Sequence, residues 1–240
     1  MIETGVHNLL RAAAARLAKF ADQADDWATE IDPGWAANEF AGVDFVGIDF
    51  STSIVKVVDH VIRGWDRYRA QMDALRPNHG VWAFGVNCLP FPLTRRPVPP
   101  GKLPSFRLEH FQRQGHGRGL IEIGSAFFDY FRVALEYTQE LAGADGGQTA
   151  VPITISLLCD GFPSGGLFRA EDVRPQVEAS RGRGVRFKLV VFVQPKYWRN
   201  VRQFTESIGF SRDYLEIVWY DGDLPDGQTM DGSFASLSRF

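Results

Sequence analysis

The sequence predicts an α/β fold, a mainly parallel central sheet with helices on both faces. Two observations predict it. Apolar runs of strand length, Val43 to Asp49, Val81 to Val86, Val151 to Leu158 and Val185 to Val193, are continuous rather than alternating, as in strands buried on both sides. Between them lie stretches whose apolar residues recur at three- and four-residue steps, the mark of amphipathic helices. At 240 residues the chain has the size of one domain with an appendage.

Taken in order, residues 6 to 30 read as an extra N-terminal helix, with Val6, Leu9, Leu10, Ala13, Leu17, Phe20, Ala24 and Trp27 on one side, until Pro33-Gly34 breaks it. The first strand, Val43 to Asp49, ends in the polar turn Phe50-Ser51-Thr52-Ser53. Ile54, Val58, Val61, Trp65, Tyr68, Met72 and Leu75 then alternate steps of four and three, which predicts one long helix closed by Arg76-Pro77-Asn78. A strand follows at Val81 to Val86. The Pro-rich stretch from Pro90 to Pro104 predicts irregular chain with a short edge strand near Leu89 to Leu93.

Helices are expected over Ile123 to Leu141, Glu171 to Arg181 and Lys196 to Ile208, the first ended by a loop from Gly143 to Gly147, and a last strand over Tyr214 to Tyr220. The organisation expected is a helical extension (1–40), a body (41–222) and a C-terminal tail (223–240). In the tail, Phe234, Leu237 and Phe240 are spaced by three and either pack on the body or dock elsewhere.

A net charge of −3 and a pI near 6.0 argue against nucleic acid or an anionic membrane as the main partner. Arg181, Arg183 and Arg186 read as a solvated helix end. Cys88 and Cys159 belong to no CxxC pair and read as buried reduced thiols. With no signal-type segment and no apolar run near the roughly 20 residues a bilayer requires, a cytoplasmic protein is expected.

In such a sheet, ligands sit outside the carboxyl ends of the strands. There the first strand delivers Asp49, Ser51 and Ser53, a carboxylate and two hydroxyls at alternate positions, and the fourth delivers Asp160-Gly161. Hard oxygen ligands of this kind suit Mg²⁺ or Mn²⁺. Asp49-x-Ser51-x-Ser53 resembles the metal-ion-dependent adhesion site of von Willebrand factor A (vWA) domains, and Asp160-Gly161 resembles that family's later Asp-Gly. The resemblance spans roughly residues 43 to 220 and implies a Rossmann-like vWA fold. It also implies a non-catalytic module whose ion, at the top of the sheet, accepts a carboxylate from a partner protein.

Within the family the chain most resembles short bacterial proteins of tellurium-resistance type, which implies a stress-response or defence assembly. Their Gly-rich turn, Gly-Gly-Thr-x-hydrophobic-Gly-x-Ala, supplies a threonine ligand. Here the turn runs from Gly115 to Ala126 and Ile121 falls at the threonine position, with Glu122 beside it and His116 in the same loop as substitutes. Thr52 and Ile54 also depart from the family pattern. Two readings stay open: an ion held by Asp49, Ser51, Ser53 and Asp160 with Glu122, or a metal-free scaffold with a degenerate site. The oligomeric state is not legible.

An enzyme reading competes. Val46 to Ser53 also resembles the first phosphate motif of sugar kinases and actin-like ATPases, where a second hairpin strand would follow. A haloacid-dehalogenase-type reading lacks the second aspartate, since Ser51 stands there. No Gly-x-Ser-x-Gly elbow occurs, and the five histidines show no metal-ligand spacing. Asp221, Asp223 and Asp226 read as a solvated turn.

Overall fold

The computed structural model describes residues 39–51, 54, 56–87, 90–106, 125–142 and 151–239. The expected N-terminal helix, Thr52, Ser53, Cys88, His116, Ile121, Glu122 and the loop from Gly143 to Gly147 lie outside them. The described chain runs β1 (Val43–Asp49), α1 (Val58–Leu75), β2 (Gly80–Val86), β3 (Pro90–Pro92), α2 (Phe127–Ala142), β4 (Ile153–Cys159), α3 (Ala170–Gly182), β5 (Arg186–Val193), α4 (Trp198–Ser207), β6 (Leu215–Trp219) and α5 (Gly227–Ser238).

The six strands form one sheet in the order β3-β2-β1-β4-β5-β6. Every pairing is parallel except the short edge strand β3, which runs antiparallel to β2. This is the mainly parallel, doubly covered sheet that the continuous apolar runs require. Each residue of β1, β2 and β4 is buried.

Two apolar layers sit on the two faces. Val46 and Ile48 of β1 pack with Val61, Trp65, Tyr68 and Met72 of α1 and with Met230 and Phe234 of α5. On the other face, Phe45 packs with Trp82, Phe84 and Tyr130, in a layer that extends to Val173 of α3 and Phe204 of α4. Gly47 makes room for that layer. A Cβ there would lie 2.8 Å from the Tyr130 ring and 2.9 Å from Leu157, so α2 approaches the sheet only over hydrogen.

The elements differ from expectation mainly at their ends. Turn-type bonds from Ile54 N to Ser51 O and from Val57 N to Ile54 O lead into α1, which starts at Val58. At its far end Leu75 is 67% exposed, so the apolar stripe stops at Met72. Pro195 begins a 3₁₀ turn, and α4 therefore starts at Trp198. Another 3₁₀ turn, Arg212–Tyr214, delays β6 to Leu215.

Packing decides two further points. Arg181, expected to be solvated, donates to the Gly209 carbonyl at 2.6 Å and lies over the Tyr214 ring at 4.6 Å. The expected tail contains α5, capped by Asp226, whose carboxylate accepts the Thr229 amide at 2.7 Å. Phe234 lies over Gly64 of α1, where a Cβ would come within 2.2 Å of its ring. Leu237 is buried as well.

Candidate metal centre

From β1 the chain passes outward to β2 and β3; from β4 it passes the other way to β5 and β6. The sheet order therefore reverses between β1 and β4, which is where a crevice opens beyond the strand ends in folds of this class. Asp49 is the last residue of β1 and Asp160 follows β4 directly.

Asp49 is completely buried. Its Oδ1 accepts the Ser51 amide at 2.8 Å, whereas its Oδ2 has no hydrogen-bond partner among the described residues. Burial pushes its pKa well above the ordinary carboxylate range, and the charge of Asp160 pushes in the same direction. The Ser51 and Asp160 amides pull the other way without offsetting this. A buried, half-satisfied carboxylate beside a second carboxylate is costly unless a proton or a cation joins it.

Ser51 is also buried. It does not cap α1, whose N-cap is Val57. Asp160 accepts the Phe162 amide at 3.0 Å, so it shapes its own turn as well as facing Asp49. Gly161 takes φ +82° in that turn, and a Cβ there would meet Val201 at 2.6 Å. Both reasons call for glycine after Asp160.

One oxygen next to Asp49 was not singled out from the sequence. Ser125, buried two residues before α2, places its Oγ 3.5 Å from Asp49 Oδ1. Its backbone pairs with Ser164 in an isolated antiparallel bridge, and the neighbouring Ala126 amide donates to Asn87 O at 2.7 Å. These bonds hold Ser125 against the crevice. Its signal in the sequence is the hydroxyl between Gly124 and Ala126, at the end of the Gly-rich turn that also carries Ile121 and Glu122.

Of the expected ligands, then, Asp49, Ser51 and Asp160 converge. Ser53 and Glu122 lie outside the described residues. Among the described residues no group of three or more His, Cys, Asp or Glu is placed to hold an ion. The oxygens available are two carboxylates and the serine hydroxyls. The unpartnered Asp49 Oδ2 is an oxygen of the kind a hard cation takes.

Among the described residues the next element after β1 is α1, not a second hairpin strand, which does not fit the kinase-like phosphate hairpin. No protein-family model and no curated protein matches the sequence. Solved structures do match, and they are vWA domains and proteins that contain the fold. A von Willebrand factor type A protein from Catenulispora acidiphila matches with TM-score 0.51 at 11% identity, over 83% of this chain and 42% of its own. The pilus adhesin SpaC from Lactobacillus rhamnosus GG matches with TM-score 0.52 at 12% identity, over 82% of this chain and 29% of its own. The PilB minor pilin from Streptococcus sanguinis, as a point mutant, matches with TM-score 0.51 at 11% identity, over 83% and 61%. The chain thus spans less than two thirds of each. The protein has the Rossmann-like vWA fold.

Proposed function

We propose that this chain is a non-catalytic protein-interaction module that holds Mg²⁺ or Mn²⁺ between Asp49 and Asp160 and binds a carboxylate offered by a partner protein. The observation that carries the reading is the buried Asp49 Oδ2, left without a partner beside a second carboxylate at the switch point of the sheet. Ser51, Ser53 and Ser125 supply neutral oxygens in the proposed ligand set, with Glu122 as a further acid. A bound divalent ion would supply positive charge that offsets the repulsion between the two acids and an open position for the incoming carboxylate. The chain's own part is to bury Asp49 and to fix both acids, through the Ser51 amide on Asp49 and the Phe162 amide on Asp160.

Adhesin and pilin neighbours sharing the fold agree with an interaction role. A cytoplasmic place in a bacterial stress-response or defence assembly, of tellurium-resistance type, rests on the sequence resemblance. The test is calorimetric titration of Mg²⁺ and Mn²⁺ into chelator-treated protein, with Asp49→Ala and Asp160→Ala in parallel. Saturable binding lost in both variants is expected. No heat at millimolar metal sinks the ion-based mechanism and leaves the metal-free scaffold.

A further inference from the structure

Four large apolar side chains are markedly exposed among the described residues, and two of them, Trp219 (48%) and Leu224 (42%), border one cleft. It lies between the end of the edge strand β6 and the first turn of α5 and has a volume of about 600 Å³. Trp219, Tyr220 and Leu224 form its apolar wall, and Asp221 and Asp226 supply its carboxylates. Among the described residues no lysine or arginine lines it. Asp223, on the same loop, and Asp221 are both exposed and have no ion-pair partner among the described residues. Gln194 donates through Nε2 to the Gly222 carbonyl, which fixes the loop that carries both acids.

The cleft also adjoins the face that holds Asp160. Phe162, two residues beyond Asp160, packs edge-on against Tyr197 at 5.3 Å between centroids, and Trp198, next in the chain, packs edge-on against Trp219 at 6.0 Å. Lys196 is turned to the Tyr197 ring at 4.9 Å, whereas His60 faces Asp226, which leaves Asp221 and Asp223 as the acids of the loop for an incoming cation.

We propose that this cleft accepts an arginine side chain of the partner protein, with the guanidinium stacked on Trp219 and forked onto the loop carboxylates. Arginine is favoured over lysine because only a planar guanidinium both stacks on an indole face and offers paired donors to carboxylates. The inference rests on the interaction-module reading but needs no ion. Where the proposed ion is also bound, a partner docking here would place its basic residue beside β6 and its own acid on the ion between Asp49 and Asp160, which fixes orientation across the strand ends.

The test follows the Trp219 indole N–H by NMR while the full chain is titrated with tetra-arginine, tetra-lysine and tetra-glutamate peptides. A saturable shift with tetra-arginine is expected, at least about threefold weaker with tetra-lysine and absent with tetra-glutamate. Asp221→Asn/Asp223→Asn, both surface changes, should weaken tetra-arginine binding about tenfold, and Trp219→Ala, read by calorimetry, about three- to tenfold. EDTA and Asp49→Ala should leave it unchanged, which separates this site from the ion. No saturable shift at millimolar peptide, equal affinity for tetra-lysine, or unchanged affinity in the double variant would overturn the proposal.

Discussion

Asp49 shows how one carboxylate sets conflicting demands. Burial and Asp160 both favour its neutral form, so without a cation the pair carries a cost that the folded state bears. Asp49→Asn keeps the Oδ1 acceptor for the Ser51 amide and removes the charge. It should therefore raise the melting temperature of chelator-treated protein, by roughly 2–4 °C if the gain is near 1 kcal/mol. The same variant should abolish any rise on adding Mg²⁺. A lower melting point in EDTA would mean that the charge is already well compensated. Ser125 belongs to this scale too: its 3.5 Å approach to Asp49 is long for a strong hydrogen bond, and close enough for both oxygens to face one ion.

Two elements are tied down by single buried charges. Asp129, in the first turn of α2, accepts the Leu167 amide at 2.9 and 3.0 Å and the Phe168 amide at 3.4 Å, fastening the loop after Asp160 to the helix. Burial raises its pKa from 3.8 to about 6, against the pull of those amides. An acid whose folded pKa is raised holds its proton more tightly in the folded state, so stability falls as pH rises from about 4 to 6. The span corresponds to about 3 kcal/mol. In urea unfolding at pH 4.5 and pH 7, Asp129→Asn should flatten this loss relative to the unmodified chain; parallel curves would refute the assignment.

On β5, buried Lys188 donates to the Ser236 carbonyl at 2.5 Å and the Arg239 carbonyl at 2.6 Å, and it pairs with Glu216 at 3.2 Å. These carbonyls end α5, where a cation is favoured. Burial lowers the Lys188 pKa, while Glu216 holds it up. Lys188→Met should cost about 2 kcal/mol, read as a lower urea midpoint at an unchanged slope. An unchanged midpoint would show that the apolar contacts of Met230, Phe234 and Leu237 suffice to hold α5.

For the molecule as a whole, the proposed ion sits where β1 and β4 meet, so binding should stabilise the entire cooperative unit. At a metal concentration 100 times the Kd, linkage adds about 2.7 kcal/mol, roughly 5–10 °C in melting temperature for a domain of this size. Differential scanning calorimetry across a Mg²⁺ series checks it. A melting point independent of metal, with saturable binding seen calorimetrically, would place the ion on a segment outside the cooperative core. Among the described residues no helix is long and apolar enough to cross a membrane.

The parallel, doubly covered sheet was readable from the chain alone, because burial on both faces leaves no polar side to a strand and so marks β1, β4 and β5 without any knowledge of their neighbours. The same periodicity announced α1, although not that Leu75 would fall outside its buried stripe. Asp49, Ser51 and Asp160 were legible since residues at the ends of continuous apolar strands must gather at one edge of such a sheet. Pairing decided the rest. That β1 lies beside β4, and so brings Asp49 to Asp160, is a matter of strand order, which no local pattern encodes. Ser125 reaches Asp49 across 76 residues of chain, and Trp219 and α5 enclose a cleft only because α5 folds back beside β6. Contacts of that kind depend on packing in three dimensions, where side chains distant in sequence compete for the same space.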